Sequence, residues 1–330
     1  MNRSSHNSIK SLMKMRRILV TGSSGQIGSE LVPALRGEYG DDNVISSDIR
    51  PPQNKNSKES GPFVVLDVLD KDSVSKVFVE HEIDTVFHLA AILSAKGESM
   101  PQIAWEVNIH GLFNMLEFGR KHDIERIIWP SSIAAFGPTS PRENTPNDTI
   151  LQPNTIYGIT KVTGELLVEY FYKKYGLDAR SMRLPGIIST EALPGGGTTD
   201  YAVEIFYEAI KNKFYTCFLK EDTVLPMMYM PDCIKCMIDL LEADSLKLKR
   251  HVYNVTAMSF SPSELAAEIK KNISDFKIEY KPDFRQEIAD SWPKTIDDSL
   301  ARKEWGWNPS YDLEDLVNDM INKLGKRLLK

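Results

Sequence analysis

Apolar and polar residues follow two rhythms along this chain, and their succession predicts its architecture. Short β-forming runs recur at 18–20, 43–47, 63–66, 85–89 and 126–129. Between them, apolar residues at three- and four-residue spacing predict helices over 27–35, 70–81 and 101–122. Strand and helix alternate five times, which is the pattern of an α/β fold with a doubly wound parallel sheet. A further amphipathic stretch over 157–175 is closed by Gly176, and a polar loop rich in Asn, Lys and Ser is expected over 51–62. The expected division is a leader or tail at 1–15, a nucleotide-binding unit over 16–185, and a smaller substrate-binding unit over 186–330 that sends segments back to the first.

The first strand runs directly into TGSSGQIG, a glycine-punctuated turn ahead of a helix. Gly22 lets the chain leave the strand, Gly25 lets backbone approach a pyrophosphate, and Gly28 lets helix pack on strand, with Gln26 and Ile27 between them. The free N–H groups of the helix start then point at the phosphates. Taken alone, such a trio is also compatible with an ordinary strand-to-helix turn. Here the second strand ends at Asp48, about 20 residues past the last glycine, where a carboxylate accepts hydrogen bonds from an adenosine ribose. The chain therefore reads as a Rossmann-type binder of NAD rather than NADP, with Ile49 and Arg50 beside that acid. Asp67 and Val68 are placed to meet the adenine, and Leu89, Ala90 and Ala91 to let the cofactor come close.

Composition narrows the field. The apolar content of 42% suits a packed globular protein, and no apolar run approaches the roughly 18 residues of a membrane span. A net charge of −6 gives no reason to expect nucleic acid or anionic lipid as partner. The first 17 residues depart from the rest: Arg3, Lys10, Lys14, Arg16 and Arg17 stand among serines with no acid. That composition fits a mitochondrial transit peptide and equally a solvated tail in a cytoplasmic protein. Cys217, Cys233 and Cys236 make no disulfide framework, and the histidines show no ligand spacing, so no metal is expected.

The candidate chemistry lies in TIYGITK, where Tyr157 and Lys161 fall four apart on one helix face. A phenol titrating near 10 is a poor base at neutral pH. A neighbouring ammonium and the positive charge of an oxidised nicotinamide are expected to lower it, making the pair a general base. Ser132, at the end of the fifth strand, is the hydroxyl that would orient a substrate oxygen.

The segments TGSSGQIG, DTVFHLAA, VNIHGLFNML, SSIAAFG, YGITK and DDSLARKEWGWNPSYDLEDLV resemble those of the extended short-chain dehydrogenase/reductase superfamily, over about residues 16 to 325. The resemblance implies that Tyr157 is the acid/base, that Lys161 holds the nicotinamide ribose and tunes the phenol, and that Ser132, with Ser131 beside it, orients substrate. It also implies contacts to NAD from Asn108 and Pro185, and a homodimer joined through a four-helix interface. Aromatic residues on helices 101–122 and 157–175, Phe113, Phe118, Tyr170 and Phe171 among them, are expected on that outer face. Dehydratases of the superfamily carry an Asp-Glu pair where this chain has Ile133 and Ala134, and epimerases an Asn-x-Tyr-Gly-Pro segment where it has RLPGIIS. RLPGIIS and GGGTTDYA are similar instead to the short-chain family of L-threonine 3-dehydrogenases. That implies a small-molecule substrate, L-threonine, held by Ser94, Gly186, Thr199 and Asp200, with the glycines at 195–197 as a lid. Thr198, Thr199 and Asp200 also suit a helix N-cap, and Trp292 either covers the pocket or belongs to the core. Two rivals remain: an NAD-dependent nucleotide-sugar epimerase or reductase, and a non-catalytic NAD-binding redox reporter.

Overall fold

A computed structural model describes residues 16–51, 61–191, 195 and 197–329. The expected leader, most of the polar loop over 51–62 and Gly196 at the centre of the expected lid lie outside the described residues. The main sheet contains β1 (Ile18–Thr21), β2 (Val44–Asp48), β3 (Phe63–Val65), β4 (Thr85–His88), β5 (Arg126–Ser132), β6 (Ala179–Leu184) and, from far along the chain, β10 (Val252–Asn254). Their order is β3-β2-β1-β4-β5-β6-β10, and every pair is parallel. Parallel strands covered on both faces read as unbroken apolar runs rather than alternations. Ile18, Leu19 and Val20 accordingly are all fully buried, but toward different layers.

Ile18 and Val20 face α1 (Gly28–Tyr39) and a later helix, α8 (Met230–Glu242), through Leu31, Leu35, Met237 and Leu240. Leu19 faces the opposite layer, made by α2 (Lys71–Glu80), α5 (Gly111–Lys121) and α6 (Ile156–Tyr175). Asp70 caps α2 by accepting from the amides of Asp72 and Ser73. Between β4 and α5 come two short helices, α3 (Ser94–Ser99) and α4 (Pro101–Trp105), the first opened by Ser94.

The single helix expected over 101–122 is interrupted. A π-turn at Glu106–His110 separates α4 from α5. The wider turn brings Asn108 inward: its amide accepts from Ile92 N (2.8 Å) and donates to Ile92 O (3.1 Å) and Thr160 Oγ1 (3.1 Å). α6 matches its predicted limits because its ends are locally encoded. The Thr155 hydroxyl accepts from Gly158 N, and Gly176 stops the helix at φ 72°.

The remaining elements build a third core, except that residues 299–305 return to pack in the layer of Ile18 and Val20. They are β7 (Gly186–Ile188), α7 (Tyr201–Lys211), β8 (Phe214–Cys217), β9 (Leu225–Tyr229), β11 (Met258–Phe260), α9 (Pro262–Asn272), β12 (Lys277–Tyr280), α10 (Arg285–Asp290), α11 (Ser299–Trp305) and α12 (Leu313–Leu328). β7, β9 and β11 form one small sheet and β8 with β12 another, packed with α7, α9 and α12. Cys233 and Cys236 are buried in α8, where desolvation pushes both thiols up. Among the described residues no helix is long and apolar enough to cross a membrane.

The expected outer aromatic face needs correction. Phe118 and Phe171 are buried in the core under the sheet, Phe118 against Phe78. Phe113 and Tyr170 do face outward, joined there by Ile103, Ile159, Leu166 and Tyr175. With about 3.6 residues per turn, neighbours such as 170 and 171 cannot share a face.

Candidate active site

One cavity lies at the C-terminal edge of the main sheet, where open parallel sheets place their ligands. Its nucleotide side is built by the turn between β1 and α1. Gly22 has φ 69°, and a Cβ there would stand 2.7 Å from Ala90 N and 2.8 Å from the Leu89 carbonyl carbon. At Gly28 a Cβ would collide with Gly22 O and stand 2.6 Å from Ser23 Cα. At these two glycines the turn has no room for a side chain, and the close backbone fits a dinucleotide pyrophosphate. Asp48 accepts from Ser24 N (3.0 Å) and Ile49 N (2.8 Å), leaving lone pairs on each oxygen for ribose hydroxyls at the loop's rim.

Gly22, Gly25, Gln26, Ile27, Gly28, Leu89, Ala91 and Pro185 line the cavity, together with Ser94, Ser131, Ser132, Tyr157, Lys161, Gly186, Thr199 and Asp200. Asp48, Ile49, Arg50, Asp67, Val68, Ala90 and Asn108 do not. Ile49 and Arg50 are exposed beyond Asp48. Asp67 accepts from Leu69 N, and Val68 is buried against Gly111. Ala90 backs Gly22, and Asn108 braces Ile92. Residues that would hold NAD here are therefore the glycine loop, Asp48 and Lys161.

The catalytic side joins β5 to α6. Lys161, 4% exposed, donates from Nζ to Pro130 O at 2.7 Å and lies 4.6 Å from the centre of the Trp129 ring. The ammonium is 5.3 Å from the Tyr157 ring centre. Ser132 Oγ accepts from Ala134 N at 3.2 Å, and its hydrogen bond pulls the Tyr157 phenol down. Burial outweighs that pull and raises the phenol to about 12, while burial, opposed by Glu165, lowers Lys161 to about 7. Among the protein's own groups desolvation dominates the phenol, and the expected lowering counts also on the charge of an oxidised nicotinamide. Ser131 lines the cavity beside Ser132, and its hydroxyl donates to Glu165 Oε1 at 2.6 Å.

Opposite these groups, Ser94 Oγ and Thr198 Oγ1 lie 3.5 Å apart and both are buried. Asp200 accepts from Gly197 N at 2.7 Å, so its carboxylate folds back on the loop rather than capping α7. Gly186 lies so close to Thr199 that an added Cβ would stand 2.8 Å from its methyl carbon. Trp292 fills both of its expected places, 4% exposed in the third core with one surface on the cavity.

Sequence reasoning missed His88, Trp129 and Pro130 as lining residues. Their position at the C-terminal ends of β4 and β5 was the available signal. Burial, then the charge of Lys161, pushes the His88 imidazole down to about 3, so it is neutral.

The class follows from these features together with comparison: the NAD dependent epimerase/dehydratase family matches residues 18–256, and the chain belongs to it. Its relatives are more particular. The mitochondrial L-threonine 3-dehydrogenase of Bos taurus is 48% identical over 96% of this chain and 85% of its own length. The crystal structure of L-threonine dehydrogenase from Phytophthora infestans superimposes with a TM-score of 0.92 at 52% identity, covering 94% of this chain and all of that one. A monomeric L-threonine 3-dehydrogenase from a metagenome, in its apo form, has a TM-score of 0.90 at 45% identity, covering 94% of this chain and 99% of that one.

Proposed function

We propose that this protein is an NAD-dependent L-threonine 3-dehydrogenase, oxidising the C3 hydroxyl to give 2-amino-3-oxobutanoate, NADH and a proton. The observation that carries the reading is the convergence of Ser132, Tyr157 and Lys161 on one wall of a cavity whose other wall is small and polar, formed by Ser94 and Thr198 to Asp200. Relatives named for that activity at about half identity support it. NAD, when bound, supplies the acceptor for the C3 hydride. Ser132 holds the substrate oxygen, Tyr157 takes the hydroxyl proton, and Lys161 keeps positive charge beside the phenolate. Ser94, Thr199, Asp200 and backbone amides of the 197–200 turn offer donors and acceptors for the amino and carboxyl groups. Incubation with NAD should give NADH absorbance with L-threonine and none with UDP-glucose or UDP-galactose. Signal from the sugars alone would return the chain to the epimerase reading.

We further infer a homodimer through α4, α5 and α6, on the strength of the exposed Ile103, Phe113, Ile159, Leu166 and Tyr170 on one face. A relative described as monomeric shows that this assembly is not universal among such enzymes. Leu166→Glu should then yield a sedimenting monomer, whereas an unchanged sedimentation coefficient would place the contact elsewhere. The basic, acid-free residues 1–15 and a mitochondrial relative support import into mitochondria, testable by fusing that segment to a reporter.

A further inference from the structure

Three residues of α6 spaced one turn apart, Tyr157, Lys161 and Glu165, each meet one of three consecutive residues at the end of β5. Tyr157 shares the cavity wall with Ser132, whose hydroxyl pulls the phenol down, Lys161 donates to Pro130 O at 2.7 Å, and Glu165 accepts from Ser131 Oγ at 2.6 Å. The first two contacts belong to the site described above. The third does not touch the cavity's chemistry directly, yet it is the most heavily anchored.

Glu165 and Arg183 form a bidentate pair, with Nε 2.9 Å from Oε1 and Nη2 2.8 Å from Oε2, both side chains 5% exposed. Arg183, on β6, is itself held by Asn147 O (2.8 Å) and by Asn254 Oδ1 on β10 (3.0 Å). Burying such a pair contributes little net stability and is strongly unfavourable to break on one side. Fold alone gives no reason to prefer it to an apolar contact. Its place gives one, because it fixes a carboxylate on the helix face of Lys161, one turn further along.

We propose that Glu165 is a positioning residue, whose carboxylate, fixed by Ser131 and Arg183, is the counter-charge that keeps the buried ammonium of Lys161 in place beside Tyr157. The charged and titratable groups facing Lys161 are few. Tyr157 and Glu165 come from its own helix and His88 from β4, while Arg183 from β6 lies behind Glu165. Of these only Glu165 is negative, and it is what opposes the loss of the Lys161 proton on burial. The sign follows directly: without that charge, Lys161 gives up its proton at lower pH.

The inference rests on the proposed dehydrogenase reading only for its assay. Glu165→Gln keeps an oxygen for Ser131 and removes the charge. The inflection in the pH profile of kcat/KM that vanishes in Lys161→Arg should move about 1 unit to lower pH, as expected for loss of one opposite charge nearby. Glu165→Asp should return it toward its original position. If Glu165→Gln fails to fold because Arg183 is stranded, the double variant Glu165→Gln, Arg183→Gln removes both charges and should show a smaller movement in the same direction, since the nearer, negative charge dominates. An inflection that stays in place in a folded variant, with activity falling only as melting temperature falls, overturns the proposal and leaves Glu165 structural. The same displacement is expected in the pH dependence of NAD affinity, read by tryptophan fluorescence without threonine. Failure of the substrate assignment therefore does not hide the outcome.

Discussion

Replacing Tyr157 with phenylalanine is expected to lower turnover by about 10² to 10⁴, the range for loss of a positioned general base, while NAD affinity stays nearly unchanged. The substitution removes one oxygen and keeps the ring, so the wall of the cavity and the packing of α6 survive. What is lost is the phenol oxygen proposed to take the substrate proton beside Ser132. Desolvation holds that phenol at about 12, so the protein alone does not present a ready base at neutral pH. An oxidised nicotinamide, when bound, would add the positive charge that lowers the phenol, so proton removal by Tyr157 is expected to depend on NAD occupancy. Stopped-flow measurement of NADH formation, paired with equilibrium NAD titration, separates the two effects. Turnover within tenfold of the parent would mean that another group takes the proton, and the role assigned to Tyr157 would fall.

Legibility in the sequence followed the range of the interactions involved. The β1 turn, the acid at the end of β2 and both ends of α6 are set by residues within a few positions of one another. Gly22, Asp48 and Gly176 accordingly lie where periodicity and turn chemistry put them. The π-turn at Glu106–His110 escaped because its cause is distant: Asn108 is drawn in by Ile92 and Thr160, and nothing in the local apolar spacing records that. Which aromatics point outward failed for a similar reason. A four-residue stretch such as EYFY admits either face, and only contact with the sheet picks Phe171 for the core. That Tyr157 and Lys161 share a helix face was legible, but their electrostatics were not, since the desolvation that dominates both depends on the walls closing over them. Arg183 and Glu165 lie in different elements, and no motif announces their pairing.

Gly22→Ala should weaken NAD binding by at least about 100-fold and lower the melting temperature of the free protein by a few degrees. Two independent penalties meet at this residue. Its φ of 69° lies in the left-handed region, which costs an L-residue roughly 1–2 kcal/mol. The new methyl would also press on backbone, 2.7 Å from Ala90 N and 2.9 Å from Ala90 Cα, and backbone does not yield as a flexible side chain does, least of all just past β4, where Leu89 N is bonded to Thr21 O. Relief requires the turn to lift off the end of β4, which spreads the cradle that would grip the pyrophosphate. Gly37→Ala in α1 is the matched comparison. A Cβ there meets nothing within 4 Å, so helix propensity should make that variant about 0.5–1 kcal/mol more stable with NAD affinity intact. Calorimetric titration of both variants reads the difference. Equal NAD affinity in the two would show that the glycine turn is a fold element alone, and the nucleotide would have to be held elsewhere along the sheet edge.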